Sequence, residues 1–237
     1  MSRALLVATL AAGLPAFAQG EAPPKPLALP NTTIIELKLG FYQPKTGNAP
    51  GMTQDPYVQT FGNSAMLLGE LEVDRSLWRG YGYLGVGFSI AYAEKYAKAT
   101  LADGSPSAEA TGLMVFPIQI MAVYRYDVLA TRYHIPFVPY IEAGFVIEPW
   151  WTRKGGSVEV VDGKTGSGVK FGLGSTLGLA LQMDFLDPKY AREAREDSGI
   201  YHFYLFGEFN VNWVNNFGGK GLNLSANFWT FGLAFEF

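Results

Sequence analysis

The chain has 237 residues, with 18 Lys and Arg against 21 Asp and Glu, and its formal net charge of −3 with no basic stripe argues against a nucleic-acid partner. It contains no cysteine, so neither disulfides nor thiol chemistry contribute to it. Aromatic residues at 15%, 28 glycines and only 16% charged residues are an odd balance for a water-soluble domain and suit a barrel that turns apolar side chains toward lipid.

Residues 1–18 read MSRALLVATLAAGLPAFA. Arg3 gives a positive start, Ala4 to Leu14 is apolar but too short to span a bilayer, and Ala16-x-Ala18 is a small-residue cleavage pattern; a secretory signal peptide is expected here. Residues 19–32 are rich in proline and read as an extended periplasmic tether. After the signal, no apolar run is long enough for a transmembrane helix.

From Thr33 the chain falls into segments of two-residue alternation, the signature of strands with one apolar face. Segment 33–44 sets Ile35, Leu37, Leu39 and Phe41 against Glu36, Lys38, Gly40 and Tyr42. Segment 64–74 sets Leu67, Leu71 and Val73 against Leu68, Glu70 and Glu72, and segment 81–95 sets Leu84, Val86, Phe88 and Ile90 against Gly85, Gly87, Ser89 and Ala91. In 112–127, Ile118, Ile120 and Tyr124 oppose Gln119, Met121 and Arg125; in 136–151, Ile141, Phe145 and Ile147 oppose Glu142 and Glu148. The clearest segment is 168–185, where Val169, Phe171, Leu173, Leu177, Leu179 and Leu181 oppose Lys170, Gly172, Gly174, Thr176, Gly178, Ala180 and Asp184. In 200–215, Phe203, Leu205 and Phe209 oppose His202, Tyr204 and Glu208, and in 223–237 Trp229, Phe231, Leu233, Phe235 and Phe237 oppose Thr230, Gly232, Ala234 and Glu236.

The links alternate in length. Residues 45–63, 96–111 and 152–167 read as long outer loops, while 75–80 and 128–135 read as short inner turns. The sixth link, 186–199, breaks the rule; Asp187 as N-cap and Pro188 at the first helical position predict a short helix there.

Backbone groups in lipid must all be paired within the protein, so the sheet must close. The fold class is therefore all-β, an eight-stranded antiparallel transmembrane β-barrel over 33–237, in the bacterial outer membrane. Aromatics near strand ends, among them Phe41, Tyr92, Tyr126, Trp213 and Trp229, suit interfacial girdles. Alternation does not itself say which face is inside, so a secreted soluble sandwich or lipocalin-like barrel is the competing fold.

The last strand, FWTFGLAFEF, resembles the C-terminal signal of outer-membrane barrels, with Phe231, Leu233, Phe235 and Phe237 in the matching positions. Size and strand count are similar to the OmpA-type and OmpW-type barrels, and the stretch DPKYAREAREDSGIYHFYLFGEF resembles uncharacterised myxobacterial-type outer-membrane barrel proteins. The resemblance implies recognition of the C-terminus by the barrel-assembly machinery and a location among outer-membrane lipid. It says little of activity.

Eight strands leave an interior that side chains fill. The candidate site is an ionic plug in that interior: Arg125 and Lys38 with Glu36, Glu72, Glu142, Asp184, His202 and Glu236, placed together near the inner mouth. The two histidines, His134 and His202, fall at the inner end with no serine at a suggestive spacing on the same face, and no catalytic, cofactor-binding or metal residues are assigned. The expected role is a non-enzymatic barrel, structural or passing a small solute. A surface adhesin acting through loops 45–63, 96–111 and 152–167 is the alternative, and a lipid-modifying enzyme the third.

Overall fold

The structure is a computed structural model, and it describes residues 32–100, 106–155, 157–158, 160–161, 163–219 and 221–237. The expected signal peptide and all but the last residue of the tether lie outside the described residues.

The elements are β1 (Thr33–Tyr42), a 3-10 turn (Thr46–Asn48), α1 (Pro56–Phe61), β2 (Met66–Gly80), β3 (Gly82–Thr100), β4 (Pro106–Val115), β5 (Ile118–Arg125) and α2 (Val128–Tyr133). There follow β6 (Phe137–Lys154), the two-residue strands β7 (Ser157–Val158), β8 (Val160–Val161) and β9 (Lys164–Thr165), then β10 (Ser167–Gln182), α3 (Pro188–Ser198), β11 (His202–Val214) and β12 (Ala226–Glu236). Antiparallel pairing runs from β1 through β2 and β3 to β4 and β5, on to β6, β10, β11 and β12, and back to β1. β4 and β5 share one place in the wall, both lying between β3 and β6, so the ring has eight positions. Reciprocal bonds between Thr33 and Phe237, 3.0 and 2.8 Å, complete the seam between first and last strands.

The facing is settled by burial. Leu39, Phe145 and Leu177 are 61%, 65% and 64% exposed, whereas Glu36, Glu142 and Glu208 are 0%, 2% and 0% exposed. A soluble barrel would show the reverse, because burying charge while wetting apolar surface costs free energy twice over. The soluble alternative therefore fails.

Several strand bounds differ from those read in the sequence. Residues 75–80, expected as a turn, belong to β2: Arg75 pairs with both Thr33 and Val86, and these ladders override the turn preference of Asp74-Arg75-Ser76. Residues 96–111, expected as a loop, largely continue β3 and β4 as a tall hairpin. The fourth segment, expected as continuous over 112–127, is interrupted at Phe116–Pro117. Pro117 has no N–H to give, and Pro149 of β6 lies beside the break, its carbonyl accepting from Phe116 N at 2.9 Å. The fourth link holds helix α2, whose C-cap His134 is left-handed at φ 58°. The helix expected in the sixth link forms as α3, with Asp187 accepting from Lys189 N and Tyr190 N.

Candidate functional site

The interior is filled at two levels. In the outer half, Tyr42, Met66, Leu68, Leu113, Leu224 and Phe228 form an apolar cluster. Tyr57 joins it from α1. The chain after β1 thus folds back into the barrel mouth and does not stand free as the loop expected over 45–63. Asp55 fixes this lid: its carboxylate caps α1 through Tyr57 N and also accepts from the Thr46 hydroxyl. Burial pushes the Asp55 carboxyl up, but hydrogen bonds from Thr46, Gly47, Val58 and Tyr57 outweigh it and hold its pKa below the ordinary value. Burial, with the Asp55 charge second, pushes the Tyr57 hydroxyl up to about 12, so it stays a neutral donor, bonded to Ser64 O at 2.7 Å.

The inner half holds the charges. Lys38 from β1 lies 3.1, 2.7 and 2.8 Å from Glu36, Glu72 and Glu208. Arg125 from β5 contacts Glu36 and lies 3.2 Å from Asp74, with its guanidinium 4.1 Å from the centre of the Tyr140 ring. The Tyr140 hydroxyl donates to Glu208 at 2.7 Å, and Glu208 also accepts from Thr230 at 2.7 Å. Tyr140 can cross the lumen because it faces Gly178, where a β-carbon would fall inside its ring. Both cations and all these carboxylates are nearly inaccessible, so each must be paired or balanced within the barrel.

The candidate plug therefore divides in two. Arg125, Lys38, Glu36, Glu72 and Glu142 come together, while Glu236, Asp184 and His202 do not join them. Glu236 lies at the inner mouth, bonded by Arg79 at 2.6 Å and by the Tyr204 hydroxyl at 2.6 Å. His202 Nδ1 pairs with Asp184 beside the mouth. Burial raises the Asp184 pKa, but bonds from His202, Gln182 and the Phe203 N–H outweigh it and leave it below the ordinary value. Strand residues separated by a turn of chain share a sequence neighbourhood but sit at different heights, and alternation reports face without height.

Three members were missed. Asp74 shares the inward parity of Glu72, but the strand was ended there. Glu208 shares the face of His202 and Tyr204 but lies outside the expected plug, although it reaches Lys38 at 2.8 Å. Arg79 has the parity of exposed Leu77; a β-bulge between Ser76 and Trp78 re-aims it inward, where it also bonds Asp127 at 3.1 Å. Burial raises the Asp127 pKa, with the Arg79 charge opposing it. These mouth residues surround a cavity of about 50 Å³, lined by Thr32, Arg79, Asp127, His202, Tyr204 and Glu236 among others.

The residues of the expected assembly signal, Phe231, Leu233, Phe235 and Phe237, all lie on the outward face of β12 or its end, 37% to 55% exposed where the values are largest.

No protein-family model and no curated protein matches the chain. Among solved structures the chain is similar to Ail, the attachment invasion locus protein of Yersinia pestis, in complex with the heparin analogue sucrose octasulfate, at 12% identity and TM-score 0.44, covering 87% of this chain and 97% of that one. It is similar to the outer membrane protein OprG of Pseudomonas aeruginosa at 11% identity and TM-score 0.45, covering 87% and 96%. It is also similar to Neisserial surface protein A at 14% identity and TM-score 0.40, covering 87% and 94%.

Proposed function

We propose that the chain is a non-enzymatic barrel of the bacterial outer membrane, with a closed lumen, that serves as a rigid membrane-anchored scaffold. The observation that carries this reading is the inverted wall: apolar side chains such as Leu39, Phe145 and Leu177 outside, and carboxylates such as Glu36 and Glu208 buried within. An apolar outer band around a polar interior is what a bilayer selects in a closed sheet. Passage of even a small solute would require both the Tyr57 lid and the Lys38–Arg125 cluster to move.

The tall side of the barrel supports a surface role as a second reading. β3, β4 and β6 extend past the level where β2 begins at Met66, and they carry exposed Tyr96 and, beyond β6, Val158. The hairpin formed by β3 and β4 is available to a partner outside the cell, as is the outer side of the lid over 45–63, where Met52 and Val58 are exposed.

Expression in a Gram-negative host tests the location. The protein should band with the outer membrane and run faster on an unheated gel than after boiling. Recovery in the soluble periplasm would overturn the reading.

A further inference from the structure

The central cluster holds more acids than bases. Glu36, Glu72, Asp74, Glu142 and Glu208 are five carboxylates against the two cations Lys38 and Arg125, all of them at most 3% exposed. Glu72 gives Oε2 to Lys38 at 2.7 Å, and Asp74 gives Oδ2 to Arg125 at 3.2 Å. Their other oxygens, Glu72 Oε1 and Asp74 Oδ1, are buried with no hydrogen-bond partner among the described residues.

Two independent features converge on those free oxygens. Glu142, on β6 at another part of the wall, is 2% exposed and its Oε1 is likewise unpartnered. One oxygen from each of Glu72, Asp74 and Glu142 lies within 4.8 Å of the others. Beneath them the wall has no side chain. A β-carbon on Gly87 would stand 2.5 Å from Asp74 Oδ1 and 2.7 Å from Glu72 Oε1, so glycine is what lets both oxygens lie side by side against the wall.

The geometry points to a buried site for one divalent, oxygen-liganded cation of calcium's size, held by Glu72, Asp74 and Glu142. Calcium accepts about six to eight oxygen ligands in flexible geometry, whereas magnesium dehydrates reluctantly and is seldom held by an all-protein cage of carboxylates. Carboxylate oxygens with no sulfur or imidazole donor are the ligands of a hard cation. Lys38 and Arg125 hold the far oxygens and so orient the near ones, which is the supporting role that outer partners play around metal sites. The ion would balance the carboxylates that hold it and tie β2 to β6 across the lumen. This inference does not depend on the cellular location proposed above.

The test uses the full chain refolded in detergent, once with calcium and once with a chelator. Equilibrium dialysis should find one calcium ion per chain, and calcium should raise the unfolding temperature. Glu142→Gln removes a ligand, and Gly87→Ala displaces the Asp74 and Glu72 oxygens without removing charge; each should weaken binding by about tenfold or more. Glu193→Gln on exposed α3 should leave binding unchanged. Binding that survives both lumen variants would overturn the site, placing the ion on surface carboxylates. If neither variant folds, terbium luminescence of the wild-type chain decides: a signal displaced by calcium supports the site. No such signal, or no bound calcium, overturns it in favour of a proton shared between Glu72 and Asp74.

Discussion

The Arg125 guanidinium stacks 4.1 Å from the centre of the Tyr140 ring while reaching Glu36 and Asp74 with its Nη2. One side chain thus joins the aromatic crossing of the lumen to two acids of neighbouring strands. Arg125→Ala leaves those acids unbalanced and should lower stability by about 3–5 kcal/mol. Arg125→Lys keeps the charge but loses the flat face, and should still cost about 1–2 kcal/mol. Denaturant unfolding in detergent measures both. A lysine variant equal to wild type would mean that charge alone matters there.

Gly178 and Tyr140 form a steric pair, the glycine leaving room for the ring. Gly178→Ala should destabilise by about 1–3 kcal/mol through overpacking. Tyr140→Ala removes the ring, so in the double variant the added cost of the alanine at 178 should largely vanish. A double-mutant cycle with no coupling would contradict the packing described.

Asp55 ties the lid to its own helix and to Thr46. Asp55→Ala should cost about 1 kcal/mol of local stability, the usual value of a lost N-cap. The barrel itself should be unaffected. Amide exchange at Tyr57 and Val58 should quicken while exchange within β10 and β11 stays unchanged; equal protection in both would show that the cap does not hold the lid.

At the inner mouth, Asp184 has a depressed pKa in the folded chain. Its contribution is therefore present above the ordinary aspartate value of about 3.9 and is lost as pH falls through the lower folded value. Asp184→Asn should be less stable than wild type at neutral pH, and the difference should shrink as pH falls below about 4. A gap independent of pH would assign the loss to hydrogen bonding alone.

Facing was legible in the sequence and height was not. Strict alternation over 168–185 places Thr176 and Ala180 inward and Leu177 outward, as found, because a pleated strand offers only two faces. The helix after Asp187 was legible from its cap and proline. Bounds failed where cross-strand pairing carried the chain past residues with turn preferences, as at Asp74 to Ser76. The site failed for a different reason. Arg79 is turned inward by a bulge, and Tyr57 is drawn into the apolar cluster that also holds Tyr42, Met66 and Leu68; neither event has a periodic signature.

The central claim is a membrane-spanning barrel with a closed interior. Conductance across a planar bilayer tests it most directly, once the unheated gel shift has shown the inserted protein to be folded. Wild-type protein should give no stable current steps, because the Tyr57 lid and the Lys38–Arg125 cluster obstruct the lumen in series. Reproducible ohmic steps from the unmodified chain would contradict the account and restore a channel.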